Sequence, residues 1–346
     1  MVASSANLAS LPSTPRCALE FTLVGLWERL LKVNPIGIHD DFFKLGGDSI
    51  SAMALLALVA RETGYPLPAG GLLQAPTIAQ LAQLLTTEVN PTNWSPLVPI
   101  QTEGSRPPLF CIHPGGGNVL CYLQLANCLG SDQPFYALQA PGVDGIRPPL
   151  ATVVEMAKEY VAAIRIVQPQ GPYYVAGWSA GGVIAFEVAQ QLISAGESVA
   201  HLAIMDSGML YTMGILKAVS PPDQPGAIEM MGRPAAEQVR VFRVRSGAAQ
   251  LIPAEADDTQ AMRIIELFEG NVHAVVDYRP QAYTGRVDLY QAAEALVPPR
   301  RLPVTEWQRV CSDLQVHIVP GNHLSMIHQP HIQGLAAALS AELAKC

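Results

Sequence analysis

The sequence feature that most restricts the fold is an apolar run followed directly by a glycine-rich turn and a long helical pattern. Positions 173–176 read YYVA, positions 177–182 read GWSAGG, and the following VIAFEVAQQLI has helical periodicity. Small residues on both sides of Ser179 tolerate the strained backbone that a sharp strand-to-helix turn requires. The segment therefore predicts a strand, a tight turn and a helix, with the Ser179 hydroxyl presented at the turn.

Short β-branched and aromatic runs alternate with longer helical patterns on both sides of this turn. Such alternation predicts a mostly parallel sheet covered by helices on both faces. The predicted strands are 109–112, 135–139, 173–176, 200–205, 286–290 and 314–319, and the predicted helices are 153–166, 180–194 and 332–345. Between 207 and 283 the alternation breaks and helical patterns prevail, which indicates an insertion over the sheet.

The N-terminal quarter of the chain has helical patterns at 18–33, 49–63 and 77–85 and no strand pattern. It is followed by a stretch rich in Pro, Thr, Asn and Ser, which is typical of an exposed linker. A length of 346 residues exceeds one ordinary domain, so we expect two. We predict a flexible lead-in at 1–15, an all-α domain at 16–88, a linker at 89–107 and an α/β domain at 108–346, with its insertion at about 207–283.

Composition excludes several classes of protein. Apolar residues make up 49% of the chain, which is too many for a disordered protein, and the longest apolar stretch, Ala52–Ala60, is far shorter than a membrane span. A net charge of -8 argues against nucleic-acid binding, which requires a basic patch. The N-terminus lacks the pattern of a signal peptide, and the six cysteines are too sparse for a disulfide framework. We therefore expect a cytoplasmic protein with reduced thiols and no membrane span.

A Gly-x-Ser-x-Gly sequence between a strand and a helix is the nucleophile elbow of α/β-hydrolases. The serine then needs a histidine base and an orienting carboxylate, in the chain order Ser, Asp or Glu, His. His323 is the expected base, because it follows a Pro-Gly-Asn turn directly after the last predicted strand. His317 would lie within that strand, and His328 and His331 at the start of the final helix, where packing or surface roles suffice. No metal site is expected, since no carboxylate cluster accompanies these histidines.

Two carboxylates compete for the orienting role. Asp206 directly follows the predicted strand 200–205, at the sheet edge where catalytic groups collect. Glu294 follows the strand 286–290, a position that many α/β-hydrolases use for the acid. An Asp at a strand end also fits simple capping of the next helix, so these residues alone leave the choice open.

The loop that follows the first predicted strand reads CIHPGGGN at positions 111–118. It lacks the Gly-Lys-Ser/Thr and GxGxxG patterns of phosphate-binding loops. It suits an oxyanion hole, in which the backbone N–H of Gly115 or Gly116 and that of Ala180 face the developing negative charge. His113 precedes the nucleophile in the wrong chain order for a base, so we expect a structural role for it.

A second serine stands out in the segment DDFFKLGGDSISAMALL. Two glycines and Asp48 precede Ser49, and a strong helical pattern follows it. An anion attached at this position would face the N–H groups at the positive end of a helix. Spacing alone fits equally a serine that merely caps its helix.

The wider string decides between these two interpretations, because it resembles the carrier domains of nonribosomal peptide synthetases. Their signature Asp-x-Phe-Phe-x-Leu-Gly-Gly-x-Ser is matched in register by Asp41, Phe42, Phe43, Leu45, Gly46, Gly47 and Ser49. The resemblance covers about residues 17–88 and implies a small four-helix domain with 4'-phosphopantetheine attached to Ser49 by a phosphopantetheinyl transferase. Asp48 stands where many carriers have His. We expect a docking face around Ile50 and Met53.

Residues 108–340 resemble the thioesterase domains that end peptide synthetases and polyketide synthases of natural-product biosynthesis. The resemblance favours Asp206 as the acid and implies that the insertion is a lid. It implies release of an acyl or peptidyl chain from the thioester on Ser49 through an acyl-enzyme on Ser179, by hydrolysis or macrocyclisation. The implied partners are upstream condensation and adenylation or ketosynthase domains. The alternatives are a proofreading thioesterase that removes stalled acyl groups and a non-catalytic carrier or docking protein.

Overall fold

The computed structural model describes residues 13–65, 67, 69–86, 94–208, 234–245, 251–296 and 302–345. Its N-terminal part contains the helices α1 (Ala18–Leu31), α2 (Ser49–Thr63), α3 (Ala69–Gln74) and α4 (Ile78–Thr86). These helices share one apolar core, in which the fully buried rings of Trp27 and Phe42 lie 5.0 Å apart, edge to face. After the resemblance of its sequence, we refer to this part as the carrier domain.

Helix α2 has strong signals at both of its ends. The carboxylate of Asp48 accepts hydrogen bonds from the backbone N–H groups of Ile50 and Ser51, and the Ser51 hydroxyl accepts from the backbone of Asp48 in return. Gly64 ends the helix in the left-handed conformation, with φ of 77°. The helix cap is therefore Asp48, and Ser49 is the first helical residue.

In the described part of the second domain, seven strands form one sheet. They are β1 (Leu97–Gln101), β2 (Leu109–Ile112), β3 (Phe135–Leu138), β4 (Tyr173–Trp178), β5 (Val199–Met205), β6 (Tyr283–Ala292) and β7 (Cys311–Val319). Their order is β1-β3-β2-β4-β5-β6-β7, with β1 antiparallel to β3 and every other neighbouring pair parallel. The mostly parallel sheet predicted from the alternation of strands and helices is confirmed.

Strand β1 lies within the stretch that the sequence assigned to a linker at 89–107. Its residues pair with β3 in the register Leu97 with Leu138 and Val98 with Ala137. The Val98 side chain is buried, so this strand belongs to the sheet. A linker that extends to 107 is thus wrong, because the second domain begins before β1.

Helices cover both faces of the sheet. The remaining α-helices that the structure describes are α5 (Leu123–Leu129), α6 (Val153–Val167), α7 (Ala180–Ser194), α8 (Ala235–Arg245), α9 (Asp258–Asp277), α10 (Leu302–Trp307) and α11 (Ile332–Leu343). One apolar cluster joins the sheet to α6 and α7, and a second joins its other face to α5 and α11. Strands buried on both faces explain the near-continuous apolar runs in β2 and β4.

Helices α8 and α9 belong to the predicted insertion between 207 and 283. Residues 209–233 and 246–250 of that stretch lie outside the described residues. Helix α9 begins with a capping box between Asp257 and Gln260 and packs against α7. Of the helices that the structure describes, none has the length and apolar character that crossing a membrane requires.

The carrier domain packs directly against the second domain. Leu120, from a single helical turn at 120–122, is buried in the apolar core of the carrier helices. A Cβ atom at Gly70 in α3 would lie only 3.0 Å from Val98 Cγ2 in β1, so these two elements are in close contact. The structure therefore holds the two domains in a docked arrangement.

Candidate active site

Ser179 occupies a strained turn between β4 and α7. Its backbone φ is 57°, in a region that residues with a side chain rarely adopt. A Cβ atom at Gly177 would overlap the Gly181 carbonyl, so the tight turn requires glycine there. The turn places the Ser179 side chain beyond the carboxyl end of β4, as the sequence predicted.

Ser179, His323 and Asp206 form a continuous hydrogen-bonded chain. His323 Nε2 lies 3.0 Å from Ser179 Oγ, and His323 Nδ1 lies 2.9 Å from Asp206 Oδ2. Because an ionised carboxylate can only accept, Nδ1 carries the proton and Nε2 is free to accept one from the serine. His323 and Asp206 are both buried, so the contact between them is shielded from water.

Asp206, which directly follows β5, is held by the end of β6. Its other carboxylate oxygen accepts from the backbone N–H of Ala292 at 3.1 Å, and its own N–H donates to the carbonyl of Tyr290 at 2.8 Å. Glu294, its rival in the sequence, has an exposed side chain, and its backbone N–H donates to the carbonyl of Gly321 in the loop before His323. The structure thus brings Asp206 to the histidine and leaves the Glu294 carboxyl outside.

The 113–117 loop lies against the start of α7. A Cβ atom at Gly181 would overlap the carbonyls of Ile112 and His113, so this glycine allows the loop to approach. Gly115 and Gly116 line the same cavity as Ser179 and Ala180. The predicted oxyanion residues are therefore grouped around Ser179.

The Gly115 carbonyl is occupied, because it accepts a hydrogen bond from Asn271 Nδ2 of helix α9 at 2.9 Å. In a trans peptide the carbonyl and the N–H of the next residue point in opposite directions. The Gly116 N–H therefore points away from Asn271. The described hydrogen bonds assign no protein acceptor to the N–H of either Gly115 or Gly116.

His113 is fully buried and held at both ring nitrogens. Nδ1 lies 2.7 Å from the Pro114 carbonyl and Nε2 lies 2.7 Å from the Tyr160 hydroxyl. Burial lowers the pKa of this imidazole to about 4. A neutral ring that is hydrogen-bonded at both nitrogens, at the start of the 113–117 loop, suits a structural role.

Two aromatic side chains that the sequence did not single out fix the turn at Ser179. Trp178 donates its indole N–H to the backbone carbonyl of His323 at 3.1 Å, and its ring lies 5.4 Å from the imidazole. The buried hydroxyl of Tyr122 accepts from the backbone N–H of Trp178 and donates to the Ile112 carbonyl. Trp178 stands inside the Gly-x-Ser-x-Gly sequence, which was a signal; Tyr122 had none.

One cavity of about 940 Å³ contains both serines that the sequence singled out. Ser49 and Ile50 line it from the carrier domain, and Ser179 and His323 line it from the second domain. Its wall is largely apolar and includes Phe268 of α9. A group carried on Ser49 would therefore face the same cavity as the Ser179 hydroxyl.

Ser49 fits an attached phosphopantetheine arm by its position, although not by the anion contacts that the sequence suggested. Its half-buried side chain faces the shared cavity. The N–H groups of Ile50 and Ser51, which were expected to face the phosphate, instead donate to the Asp48 carboxylate. Burial lowers the pKa of His328, whereas the negative charge of Asp48 raises it. The Asp48 carboxylate of the carrier domain therefore lies near a histidine of the second domain.

The docking face predicted around Ile50 and Met53 lies partly at this boundary. Met53 lines the shared cavity and a second, smaller one against α9, whereas Ile50 lines only the first and stays half exposed. Ala57, one turn beyond Met53, packs against the apolar cluster of α8 and α9. The contact therefore extends further along α2 than the sequence indicated.

One expectation about the late histidines is wrong. Within the described residues, His317 does have carboxylate neighbours, because it lies 2.8 Å from Asp288 and near Glu342. The guanidinium of Arg286 binds both carboxylates, at 2.7 and 2.6 Å. A cation already sits between these carboxylates, so the cluster is explained as an ion-pair network that ties α11 to the sheet.

Family models match the two domains in order. Residues 22–85 match the phosphopantetheine attachment site, and residues 107–343 match the thioesterase domain. This chain belongs to the thioesterase domain family. The matches confirm the predicted family, and the carrier domain of this thioesterase is a site of covalent phosphopantetheine attachment.

The relatives of this thioesterase include much longer synthetases. The chain is 33% identical over 359 residues to a chondramide synthase of Chondromyces crocatus, covering 95% of this chain and 9% of that protein. It is 32% identical over 289 residues to a dimodular nonribosomal peptide synthase of Bacillus subtilis, covering 80% of this chain and 12% of that protein. The chain thus spans only a small part of the curated relatives it matches.

Solved structures agree with this assignment. A four-domain nonribosomal peptide synthetase bound to AMP and glycine superposes with a TM-score of 0.63 at 24% identity, covering 97% of this chain and 27% of that one. A NocB thioesterase domain in covalent complex with a fluorophosphonate nocardicin G analogue has a TM-score of 0.53 at 29% identity, covering 71% of this chain and 99% of that one. The first likeness concerns the fold of both domains together.

Proposed function

We propose that this thioesterase releases an acyl or peptidyl chain, delivered as a thioester on a phosphopantetheine arm at Ser49, through an acyl-enzyme on Ser179. The observation that carries the proposal is the single cavity lined by Ser49, Ser179 and His323. A hydrolase alone acts on many esters, whereas a carrier docked at its entrance provides a thioester at high local concentration. The relatives, which are peptide synthetases, support a chain-release role at the end of such an enzyme.

Acylation begins with the Ser179 hydroxyl. His323 Nε2 accepts its proton as Oγ attacks the thioester carbonyl carbon, and Asp206 stabilises the imidazolium that forms. The proton then passes from His323 to the departing sulfur, which leaves an ester on Ser179. Water or a nucleophile of the acyl chain next gives its proton to His323 and attacks that ester. The bond from the acyl carbon to Ser179 Oγ then breaks, and His323 returns the proton to Oγ, which releases an acid or a ring.

The tetrahedral intermediate needs donors for its oxyanion. The N–H of Ala180, directly after the nucleophile, and an N–H of Gly115 or Gly116 are the donors we propose. The Asn271 bond to the Gly115 carbonyl supports Gly116 as the second donor, because it orients that peptide unit. Fixed donors of this kind stabilise negative charge without the reorganisation that water requires.

The attached arm would supply a flexible thiol that holds the acyl group. A phosphopantetheinyl transferase would install it on Ser49, and the exposed turn at Gly46 and Asp48 leaves that side of the serine accessible. Upstream condensation and adenylation or ketosynthase domains would load it. Once delivered, the acyl group would contact the largely apolar wall of the cavity.

We assign the second domain to the α/β-hydrolases, the carrier domain to the four-helix carriers, and the segment with α8 and α9 to a lid. Phe268 and Val272 of α9 cover the cavity beside Ser179. A roof of this kind limits access of water to the acyl-enzyme. It thereby gives an internal nucleophile of the acyl chain time to compete with hydrolysis.

The test is intact-mass analysis of the phosphopantetheinylated chain loaded with an acyl thioester. We expect the Ser179→Ala variant to retain the acyl group on Ser49, because no nucleophile accepts it. The unchanged chain should lose that group, and Ser49→Ala should take up no arm at all. Rapid loss of the acyl group from Ser179→Ala would contradict the proposal.

The proofreading alternative is tested by the same measurement with other carriers. A release enzyme is expected to act faster on its fused carrier than on foreign carriers supplied at micromolar concentration, because tethering raises the local concentration to the millimolar range. Equal rates for fused and foreign carriers would favour proofreading.

A further inference from the structure

One face of helix α9 contacts both the carrier domain and the loop beside the nucleophile. Near the start of α9, Gln260 Nε2 donates to the Ala57 carbonyl of α2 at 2.9 Å. Further along, Asn271 Nδ2 donates to the Gly115 carbonyl at 2.9 Å. The two side chains are eleven residues apart, which is about three helical turns, so they lie on the same face about 16 Å apart.

The contacts between these two points are continuous. Ile264 packs in the same apolar cluster as Ala57, and Leu267 lines the seam between α2 and α9. Leu267 also lies against Gly117, where a Cβ atom would be 2.8 Å from its Cδ2. The carrier, the helix and the 115–117 loop thus form one packed series.

The Asn271 side chain is suited to hold the loop firmly. It is fully buried, and among the described residues its Oδ1 has no hydrogen-bond partner. A buried amide with one unsatisfied atom costs free energy, so a reason for its presence is needed. Its bond to Gly115 supplies one, because it fixes the peptide unit that contains the Gly116 N–H.

We propose that helix α9 couples docking of the carrier domain to the geometry of the 115–117 loop, with Gln260 and Asn271 as positioning residues. The docked carrier fixes the start of α9 through Gln260, and α9 fixes the loop through Asn271. A capped helix of twenty residues transmits a displacement at one end to the other. The thioesterase is then most competent while its carrier is seated, which rests on the function proposed above.

The test separates this coupling from delivery of the acyl group. A fluorophosphonate probe reacts with an activated serine, and its phosphoryl oxygen occupies the oxyanion position as fluoride leaves. The second-order rate constant for labelling of Ser179 is measured on the full chain with Ser49 unmodified. Because no arm is present, a change in this rate reports the site itself.

Three variants form the core of the experiment. Gln260→Glu keeps the oxygen that accepts from Asp257 but loses the donor to Ala57, so we expect labelling to slow about 2- to 10-fold. Asn271→Leu removes the donor to Gly115 and should slow it about 10- to 100-fold. Thr259→Glu adds the same charge in the same helical turn on an exposed side chain and should leave the rate unchanged.

A double variant shows whether the two contacts act through the helix. If they do, Gln260→Glu should add no further slowing to Asn271→Leu, whereas independent effects would multiply. Gln260→Glu keeps the test usable should Asn271→Leu not fold. Labelling of Gln260→Glu at the rate of Thr259→Glu, or multiplied effects in the double variant, would overturn the coupling and leave the proposed function intact. Failure of the unchanged chain to be labelled would instead overturn the proposed function.

Discussion

Asp206 determines which nitrogen of His323 is available to the Ser179 hydroxyl. Its Oδ2 receives the Nδ1 proton at 2.9 Å, which leaves Nε2 3.0 Å from the Ser179 hydroxyl. An asparagine of the same shape would present its amide N–H to the ring and favour the opposite tautomer. The tautomer of His323 therefore depends on one oxygen atom.

We expect Asp206→Asn to reduce kcat for thioester release on the order of 10³- to 10⁴-fold, because the base would be held in the wrong tautomer. Glu294→Gln is the matched control, since its exposed carboxyl lies outside the hydrogen-bonded chain. Its kcat should stay within about threefold of the unchanged enzyme, as surface substitutions usually have small effects. A severe loss in Glu294→Gln together with a mild one in Asp206→Asn would transfer the role of the acid.

At the scale of single residues, the sequence predicts some site side chains better than others. It predicts those that belong to the hydrogen-bonded chain itself, and it misses those that hold the backbone around that chain. Ser179 has its turn motif and His323 has its place after the last strand, and the structure brings both together. Tyr122 and Asn271 hold carbonyls and N–H groups of other segments. Such contacts follow from distant parts of the chain, so no local pattern predicts them.

At the scale of the secondary-structure elements, two buried imidazoles resist protonation, one directly after β2 and one within β5. Burial lowers the pKa of His113, which follows β2, to about 4, and that of His201 in β5 to about 4 as well. In the unfolded chain both would titrate near 6.5. Between these values the unfolded chain binds the protons and the folded one does not.

The free energy of unfolding should therefore fall as the pH is lowered from about 6.5 to about 4, by on the order of 3 kcal/mol for each histidine. Urea unfolding at several pH values measures this. His201→Phe should reduce the pH dependence by about half of the histidine contribution, because it removes one of the two rings. His39→Gln, at an exposed position, is the control. An identical pH dependence in His201→Phe and the unchanged chain would contradict the prediction.

Most elements of the sheet domain were predictable, and the exceptions have physical reasons. Strand β1 reads LVPIQ, and its central proline argues against an interior strand. It is tolerated because β1 is an edge strand that pairs only with β3. Strands β6 and β7 begin three residues earlier than predicted. In these added residues, Gly285 and the polar Ser312 and Asp313 interrupt the apolar pattern from which a strand is predicted.

At the scale of the whole molecule, the docked arrangement of the two domains could not be predicted from the sequence. Leu120 is far in sequence from the carrier helices, yet it is 1% exposed and lies in their core. Its own neighbours in the chain give no sign of this, because an apolar residue near α5 fits the core of either domain. The contact is a property of the assembled chain.

We expect Leu120→Asp to separate the two domains. A carboxylate in that apolar core would lose its hydration, which costs several kcal/mol, whereas in the separated state it would face water. Small-angle X-ray scattering should show a radius of gyration clearly above the roughly 20 Å expected for a compact chain of this length. Val154→Asp, at a half-exposed position on α6, should leave it unchanged.

The Leu120→Asp variant also tests whether separation of the domains changes the reactivity of Ser179. If α9 couples docking to the 115–117 loop, Leu120→Asp should also slow fluorophosphonate labelling of Ser179, although it alters neither Gln260 nor Asn271. Circular dichroism would establish that both domains remain folded. A larger radius of gyration with an unchanged labelling rate would mean that the carrier only delivers its acyl group, and an unchanged radius would mean that other contacts suffice to hold the domains together.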